Sequence, residues 1–398
     1  MTQKKILFLT TQLPFPPKSG GTVKSYHYLK FLALNYDVTI ASLLKEDDEL
    51  HVDSFKKEFS LREVVTQKIS VGRNPLNLLK SYITAPCLNA FRNYSTEFEN
   101  KIHTLFTKND VVIVDHYEVF QYIPKNHSGK VVMHTHNAEF MLWQRMSELT
   151  NNPIKKAILK LEATRVKKYE SEIFNQSDLI YSTPSDIDLY KNHGFNISKH
   201  KITYHLGNDE MLGLPNLEFE ETEKAVTFIG TLSWEPNIDG ICWFIDNCWK
   251  QLKNKHPDLT LYILGKNPNS RILKSAKKDP NIVFTGFVKE LDTYLQKTRV
   301  YIAPLRFGSG MKVKVLEGLY RGNPCVTTSV GAEGLDLEDG ENSYISDTPE
   351  AFIASCLHLL QNKEKWEPIR DKVRKLAAEK YTWQALFVRM EKSLQEIL

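Results

Sequence analysis

The sequence predicts an α/β protein made of two Rossmann-like, doubly wound parallel-sheet domains. Three observations predict it. Short runs rich in Val, Ile and Phe alternate with longer helical patterns, the signature of βα repeats. Most of those runs are apolar almost throughout, as strands covered on both faces must be. The pattern also starts twice, with KKILFLTTQ near the N-terminus and again with KAVTFIGTLSWEPN from Lys224 to Asn237.

In the first half the predicted strands are Lys5–Thr10, Val38–Ser42, Val111–Asp115, Val131–His134, Leu179–Ser182 and Ile202–His205. In the second they are Val226–Gly230, Leu259–Leu264, Ile282–Thr285, Val300–Pro304 and Cys325–Ser329, with helices filling most gaps. Leu212–Ala225 carries Pro215 and a run of acids without clear periodicity, and reads as a linker. The expected division is 1–212, 213–380, and a terminal helix at 381–398 packing back on the first domain. In that helix Trp383, Leu386, Phe387 and Met390 fall at helical spacing.

Composition sets the outer bounds. The 398 residues exceed one ordinary domain. A hydrophobic content of 41% and a charged content of 25% exclude intrinsic disorder. The 52 Lys and Arg against 48 Asp and Glu leave +4, too small a charge to drive nucleic-acid binding. Cys87, Cys242, Cys248, Cys325 and Cys356 are scattered and without a Cys-x-x-Cys pair, which fits a reducing compartment. The apolar run Ile6–Leu9 is too short for a signal-peptide core, and no apolar stretch is long enough to span a bilayer. A cytoplasmic protein is expected, with association at the inner membrane face left open.

Three segments are suited to chemistry. After the first strand, a Pro-rich turn leads to Ser19-Gly20-Gly21 at the start of a helix, where small residues let backbone N–H groups approach an anion. A strand then ends in His134-Thr135-His136-Asn137. Residues two apart share a face, and ligands of parallel sheets bind at such strand ends. A histidine there can donate a hydrogen bond or move a proton near neutral pH; a metal pair lacks a matching carboxylate or cysteine spacing. The third segment follows the strand ending at Pro304. Arg306 and Phe307-Gly308-Ser309-Gly310 lead into a helix predicted over Met311–Tyr320, with Lys312 and Lys314 in its first turn. Cations there oppose the helix dipole unless a phosphate or diphosphate occupies the entrance. Glu317, two turns from Ser309, is placed to hydrogen-bond a vicinal diol such as a ribose; the plain alternative is an (i, i+3) surface pair with Lys314.

This third segment resembles the retaining glycosyltransferases of the GT-B architecture, especially family four. That family carries Glu, seven residues, then Glu, a helix, and a Gly-x-Pro-Val-Val turn. Glu317 matches the second Glu, and Gly322-Asn323-Pro324-Cys325-Val326 matches the turn. Gly20 and Gly21 resemble the family's N-terminal glycine loop, His136-Asn137 the site of its active-site histidine, and Ser182–Asp188 its Ser-x-x-Asp segment. Thr285-Gly286-Phe287-Val288 resembles its nucleoside-contacting loop. The resemblance implies two domains facing across a cleft and retaining transfer of a hexosyl unit from a nucleotide-diphosphate sugar to a glycan or lipid-linked hydroxyl. It implies His136 and Glu317 as catalytic. Donor contacts would come from Gly20, Gly21, Gly230, Phe287, Val288, Arg306, Ser309, Gly310, Met311, Lys312, Lys314 and Glu317. No cofactor is implied beyond the nucleotide sugar as co-substrate.

Two departures stand out. Ser309 occupies the place of the family's first Glu, and Gly230-Thr231-Leu232-Ser233-Trp234 lacks the usual Arg and Lys that grip the diphosphate. Arg306, Lys312 and Lys314 are the candidates to replace them. The variant with Gly331–Leu335 after it resembles subgroups of exopolysaccharide or cell-surface glycan assembly. Asp186-Ile187-Asp188 is formally an Asp-x-Asp, but it reads as a helix N-terminus, so no metal is expected.

Two helical stretches, Asn74–Tyr94 with Lys80 and Arg92, and Asn151–Glu170 with Lys155, Lys156, Lys160, Arg165, Lys167 and Lys168, mix apolar and basic residues. They are suited to an anionic membrane surface, or equally to a solvated face. Two other functions stay open: a different nucleotide-sugar enzyme, such as an epimerase or hydrolase, and an inactive binding subunit, which Ser309 would favour.

Overall fold

The computed structural model describes residues 3–17, 20–72, 74–150, 152–308 and 311–398. The expected site residues Ser309 and Gly310, and Ser19 of the glycine loop, lie outside the described residues. The chain divides into two compact units. The first comprises Met1–Tyr204 with Phe387–Leu398, and the second comprises His205–Leu386.

The first unit holds a seven-stranded parallel sheet. Its strands are β1 (Lys5–Thr10), β2 (Asp37–Leu44), β3 (Glu63–Lys68), β4 (Val111–Asp115), β5 (Lys130–His134), β6 (Leu179–Ser182) and β7 (His200–Ile202), in the order β3-β2-β1-β4-β5-β6-β7. Ile6, Leu7, Phe8 and Leu9 of β1 and Val111–Val114 of β4 are wholly buried, because helices cover both faces of the sheet. The register sets Thr10 beside Asp115 and Asp115 beside His134. Polar groups at the C-terminal ends of β1, β4 and β5 therefore meet in one row. The last helix runs from Trp383 to Gln395. From Phe387 on it packs in the first unit: Phe387 stacks on Phe31 at 4.7 Å between ring centres, and Tyr181 Oη donates to Met390 O at 2.7 Å.

The second unit holds a six-stranded parallel sheet. Its strands are β8 (Ala225–Ile229), β9 (Thr260–Leu264), β10 (Ile282–Gly286), β11 (Val300–Ala303), β12 (Cys325–Thr327) and β13 (Tyr344–Ile345), in the order β10-β9-β8-β11-β12-β13. Both units thus have the doubly wound arrangement that the sequence predicts. Two edge strands, β3 and β13, escape the sequence reading. β3 reads EVVTQK and is nowhere fully buried, and β13 has two residues. The strand expected at Ile202–His205 ends at Ile202.

Leu212–Ala225 is not a free linker. Arg374 donates to the carbonyls of Leu212 and Leu214, Arg321 to Pro215, Arg370 to Leu217, and Arg299 to Phe219 and Thr222. Four guanidiniums satisfy the carbonyls of a segment without secondary-structure partners, so it belongs to the second unit and the crossing falls earlier, at Tyr204–His205. The five cysteines are free and buried.

Candidate functional site

In the first unit the polar strand ends converge on Asp115, a fully buried carboxylate that no sequence motif singled out. Its Oδ2 accepts from Thr10 Oγ1 at 3.0 Å and Ser25 Oγ at 2.7 Å. Its Oδ1 pairs with His134 Nδ1 at 2.8 Å and His136 Nε2 at 2.9 Å. Burial alone would push the Asp115 carboxyl up. The neighbouring His136 and His116 and the hydrogen bonds from His134 and His136 outweigh it, holding the group well below the usual carboxylate range. Burial pushes His136 well below the ordinary histidine value, and it lowers His134 to about 4. An ionised acceptor between two neutral imidazoles fixes their tautomers: His134 donates through Nδ1 and His136 through Nε2.

The site brings in further groups. His116, at the N-terminal side of the turn after β4, has φ of +87°, a conformation that costs a non-glycine residue about 1–3 kcal/mol. Its ring stacks on His136 at 3.7 Å between centres. Lys24, on the helix Gly20–Asn35, is buried and donates from Nζ to Thr135 O at 2.8 Å; burial lowers its pKa to about 8. Gly21 lies against His136 Nδ1, with 3.6 Å from that atom to where a Cβ would stand, so the glycine loop and the histidine are neighbours. Gly20 begins the helix and is exposed.

Ligand atoms of Asp115, His134 and His136 lie within 4.8 Å of one another, a spacing compatible with a metal ion. The nitrogens facing the carboxylate are the ones that hydrogen-bond to it, so the cluster is satisfied as a hydrogen-bonded triad. Asp186 is buried and its carboxylate accepts from Ala138 N and Thr183 Oγ1, while Asp188 is exposed; the two acids of the Asp-x-Asp do not share a face.

Beside this cluster a cavity of about 730 Å³ opens at the C-terminal side of the first sheet, wholly within the first unit. Gln12, Lys45, Asn89, Arg92, His116, Glu118 and Glu139 are among its walls. Arg92, expected on a basic helix face, is directed here and donates from Nε to Val71 O at 2.8 Å.

In the second unit the helix following β11 spans Val313–Arg321, two residues later than expected, so Met311 and Lys312 precede it. Met311 is buried beside Gly334, and Lys312 is buried with Nζ 3.3 Å from Glu333 Oε2. Lys314 bonds to Asn237 Oδ1 and lies over the Phe228 ring at 5.5 Å. Burial, helped by Lys312, lowers its pKa to about 7. Gly230 leaves the space that the Asn237 side chain fills. Arg306 is exposed and committed to Asp239 through two bonds, of 2.8 and 2.5 Å, so of the three cations it is the one held by an acid in bidentate fashion. Phe287 is exposed, under Lys266 Nζ at 4.3 Å from its ring centre, and Val288 is half-buried.

Glu317 does not pair with Lys314. Its Oε1 accepts from Asn208 N at 3.3 Å, and its Oε2 is buried without a hydrogen-bond partner. Burial raises its pKa to about 7, against the pull of the Asn208 N–H and with a push from Asp209. The sequence reading found Glu317, Lys312 and Lys314. It missed Asn237, which bonds to Lys314, Asn208, whose N–H meets Glu317, and Gly207, which lies against that carboxylate. Asp115-His116 carried one signal, two polar residues closing a run of four apolar ones.

Comparison with known proteins fits this geometry. A family model described as glycosyl transferases group 1 matches residues 223–362. An uncharacterized 44.6 kDa protein in the cps region of Klebsiella pneumoniae is 21% identical over 366 residues, covering 90% of this chain and 91% of that one. Among solved structures, Anabaena HepE in complex with UDP has a TM-score of 0.68 at 10% identity, over 98% of this chain and all of that one. A glycosyltransferase from Rickettsia africae has a TM-score of 0.68 at 14% identity, over 100% and 99%. Staphylococcus aureus TarM, in complex with fondaparinux, α-GlcNAc-glycerol and UDP, has a TM-score of 0.65 at 12% identity, over 98% and 99%. The fold is the GT-B fold of these enzymes.

Proposed function

From a second unit that matches, over residues 223–362, the family model of glycosyl transferases group 1, we propose that the chain is a glycosyltransferase that uses a nucleotide-diphosphate sugar. The observation that carries the reading is the pairing at the Val313–Arg321 helix entrance: a partly buried Lys314 beside Lys312, with the orphaned carboxylate oxygen of Glu317 one turn on. A diphosphate supplies an anion to Lys314, whose hydrogen-bond partner is the neutral Asn237 amide, and a ribose hydroxyl supplies the donor that Glu317 Oε2 lacks. HepE, of the same fold, is known with UDP and with UDP-glucose.

The finer reading is retaining transfer of a hexosyl unit to a glycan or lipid-linked hydroxyl, in polysaccharide assembly. The bond from the anomeric carbon to the diphosphate oxygen breaks, and the acceptor oxygen bonds to that carbon on the same face. The acceptor's proton passes to the departing phosphate. Lys312 and Lys314 stabilise the charge that develops there, and Phe287 and Val288 contact the base. Arg306 contributes after exchanging Asp239 for phosphate. For His136 the proposal is contact with the transferred sugar as a neutral imidazole whose orientation Asp115 fixes. The bidentate use of both Asp186 and Asp188 by a divalent cation is disfavoured by their opposite exposure, and the reading is metal-independent.

Among the described residues no helix is long and apolar enough to cross a membrane. A peripheral site is part of the proposal. The helix Pro75–Thr84 exposes Leu76, Leu79 and Ile83 along one stripe, and the helix Pro153–Gln176 exposes Ile154, Ile158 and Leu161 along another, each with lysines nearby. Arg165 joins the two helices, stacking on Tyr82 and donating to the carbonyls of Ser81 and Ala85, so it is not part of the solvated basic face. Such a surface suits an anionic bilayer. Pelleting with phosphatidylglycerol vesicles at low salt should carry the wild type down and leave Ile83→Glu in the supernatant.

The central test is kinetic. His136→Ala and Glu317→Ala should each reduce transfer at least tenfold, Glu317→Ala with loss of UDP binding. Unchanged rates in both variants would overturn the assignment.

A further inference from the structure

The segment that carries His136 is held by side chains from three helices of the first unit. Lys24, on the helix Gly20–Asn35, donates to Thr135 O at 2.8 Å. After Ala138 the chain enters the helix Glu139–Leu149. The first N–H groups of a helix have no partner within it. Here Ala138 N donates to Asp186 Oδ1 at 3.1 Å, Glu139 N to Glu170 Oε1 at 3.1 Å and Phe140 N to Glu170 Oε2 at 3.0 Å. Glu170 lies on the helix Pro153–Gln176 and Asp186 on the helix Pro184–Asn192, and both are buried.

Tyr190, on the same helix as Asp186, is wholly buried. Its Oη lies 3.0 Å from Asn137 O and 2.9 Å from Glu170 Oε1. Both are acceptors while Glu170 is ionised, and a phenol carries one proton. The Tyr190 ring is fixed by its neighbours, edge-on to Phe174 at 4.8 Å and to Phe195 at 5.0 Å between ring centres, so the oxygen stays and only its proton turns. A proton on Glu170 Oε1 removes the competition. The carboxyl then donates to Tyr190 Oη, Tyr190 donates to Asn137 O, and Phe140 N keeps its acceptor on Oε2.

Burial raises the Glu170 pKa to about 8, against the pull of the Phe140 N–H, the Tyr190 hydroxyl and the Glu139 N–H, and with a push from Asp186. The other groups around it are accounted for. Glu139 is pushed well above the usual carboxylate range by burial and by Glu118, Glu170 and Asp186. His116, Tyr117 and His136 line the same narrow gap as Glu170, and burial keeps His136 neutral. The cations Lys24 and Arg145 act on Asp186.

We propose that Glu170 and Tyr190 are positioning residues for His136 and form a proton-operated catch. With Glu170 protonated, the Tyr190 hydroxyl donates to Asn137 O. With Glu170 ionised, it turns to Glu170 and releases that carbonyl. The proton of Glu170 leaves to water and returns from it, and no covalent bond other than that O–H changes. What the catch means for transfer rests on the proposed role of His136; the catch itself does not.

The test is nuclear magnetic resonance on the full chain without nucleotide. Asn followed by Ala occurs at Asn89-Ala90 and Asn137-Ala138. Carbon-13 in the asparagine carbonyls with nitrogen-15 in alanine therefore gives two cross-peaks, one at the catch and one away from it. Carbon-13 at glutamate Cδ reports Glu170, assigned by its loss in Glu170→Gln. Between pH 6 and pH 10 the Asn137 carbonyl should shift with the same midpoint as the Glu170 carboxyl. Glu170→Gln keeps an acceptor for Phe140 N and an NH₂ donor for Tyr190 Oη, so its Asn137 carbonyl should stay at the wild-type acid position throughout. Tyr190→Phe should leave Glu170 titrating and the Asn137 carbonyl still. Glu139→Gln should retain the wild-type shift, which separates the catch from the neighbouring acid. A Glu170 carboxyl that does not titrate in this range overturns the proposal. So does an Asn137 carbonyl that shifts as before in Glu170→Gln or Tyr190→Phe, or that stops shifting in Glu139→Gln. Should Tyr190→Phe fail to fold, the Glu170→Gln arm decides alone. Transfer with the same pH dependence in wild type and Glu170→Gln, beside a catch that behaves as described, would count against the role of His136 instead.

Discussion

Gly207 stands so close to Glu317 that a Cβ on the glycine would overlap Glu317 Oε1. The same loop supplies the Asn208 N–H that this oxygen accepts. The obstructing atom is the end of a flexible side chain, so Gly207→Ala need not break the fold; it needs only to turn the carboxylate away. We therefore expect Gly207→Ala to keep its thermal transition and lose UDP affinity at least tenfold, matching Glu317→Ala. An alanine variant that binds UDP normally would show that Glu317 has no ligand to hold in its present rotamer.

Glu317 also leaves a mark on stability. Its pKa is raised to about 7 in the folded chain from 4.5, so the folded state holds the proton more tightly than the unfolded one. The resulting stability is full below about 4.5 and is lost as pH rises through 7. A shift of this size corresponds to something on the order of 3 kcal/mol. Glu317→Gln cannot ionise and can still accept from Asn208. It should melt near the wild type at pH 5 and at a clearly higher temperature at pH 8. A gap between the two proteins that is the same at both pH values would mean that Glu317 is not desolvated.

The fold was largely legible because its signal is repeated. Eleven expected strands lie at or within a few residues of real ones; nine of these are interior strands with near-continuous apolar runs, and β7 and β10 are edges. β3 and β13 lie at sheet edges, where half of the burial that creates such a run is missing. The candidate site was legible at Gly230, where a Cβ would crowd the Asn237 amide. It was illegible where a side chain is chosen by a partner far along the chain. Asp115 is read as the end of a strand until β5 brings His134 beside it. Arg306 looked free for phosphate because Asp239, 67 positions away in sequence, could not be foreseen as its partner.

If Lys314 holds the diphosphate as proposed, nucleotide binding depends on pH through its ammonium group. Its pKa in the free protein is lowered to about 7 by burial and by Lys312. A diphosphate favours the ammonium form, so binding takes up a proton near neutrality. Between pH 6 and pH 8 this one group should weaken UDP binding by about tenfold. Lys314→Met should bind UDP less tightly at pH 6 and should lack that tenfold decline. Calorimetry in two buffers of different ionisation enthalpy at pH 7 should show more proton uptake in the wild type than in Lys314→Met, since Glu317 and the phosphate titrate in both. Equal uptake in both proteins would remove Lys314 from the diphosphate.

The arrangement around Asp115 predicts a sharper loss. Every group facing its carboxylate is a donor: the hydroxyls of Thr10 and Ser25 and the N–H groups of His134 and His136. Asp115→Asn keeps the shape but turns one of the two oxygens into an NH₂. If the amide nitrogen takes the place of Oδ2, the Thr10 and Ser25 hydroxyls can turn their protons to Gln12 O and Gly21 O and accept from it, leaving the imidazoles as they are. If the amide nitrogen takes the place of Oδ1, the two imidazoles relieve the clash by moving their protons to the far nitrogens, which inverts the His136 tautomer. Removing one partner from a buried hydrogen-bonded charge cluster also costs stability, about 3 kcal/mol. The expected result is transfer reduced at least a hundredfold, a lower melting temperature, and UDP binding unchanged, because the nucleotide groups lie in the second unit. Nitrogen-15 spectra of the histidines should show the proton on Nε2 of His136 in the wild type and report which way the amide is turned in the variant. A variant with normal transfer would show that Asp115 stabilises the fold without contributing to the action of His136.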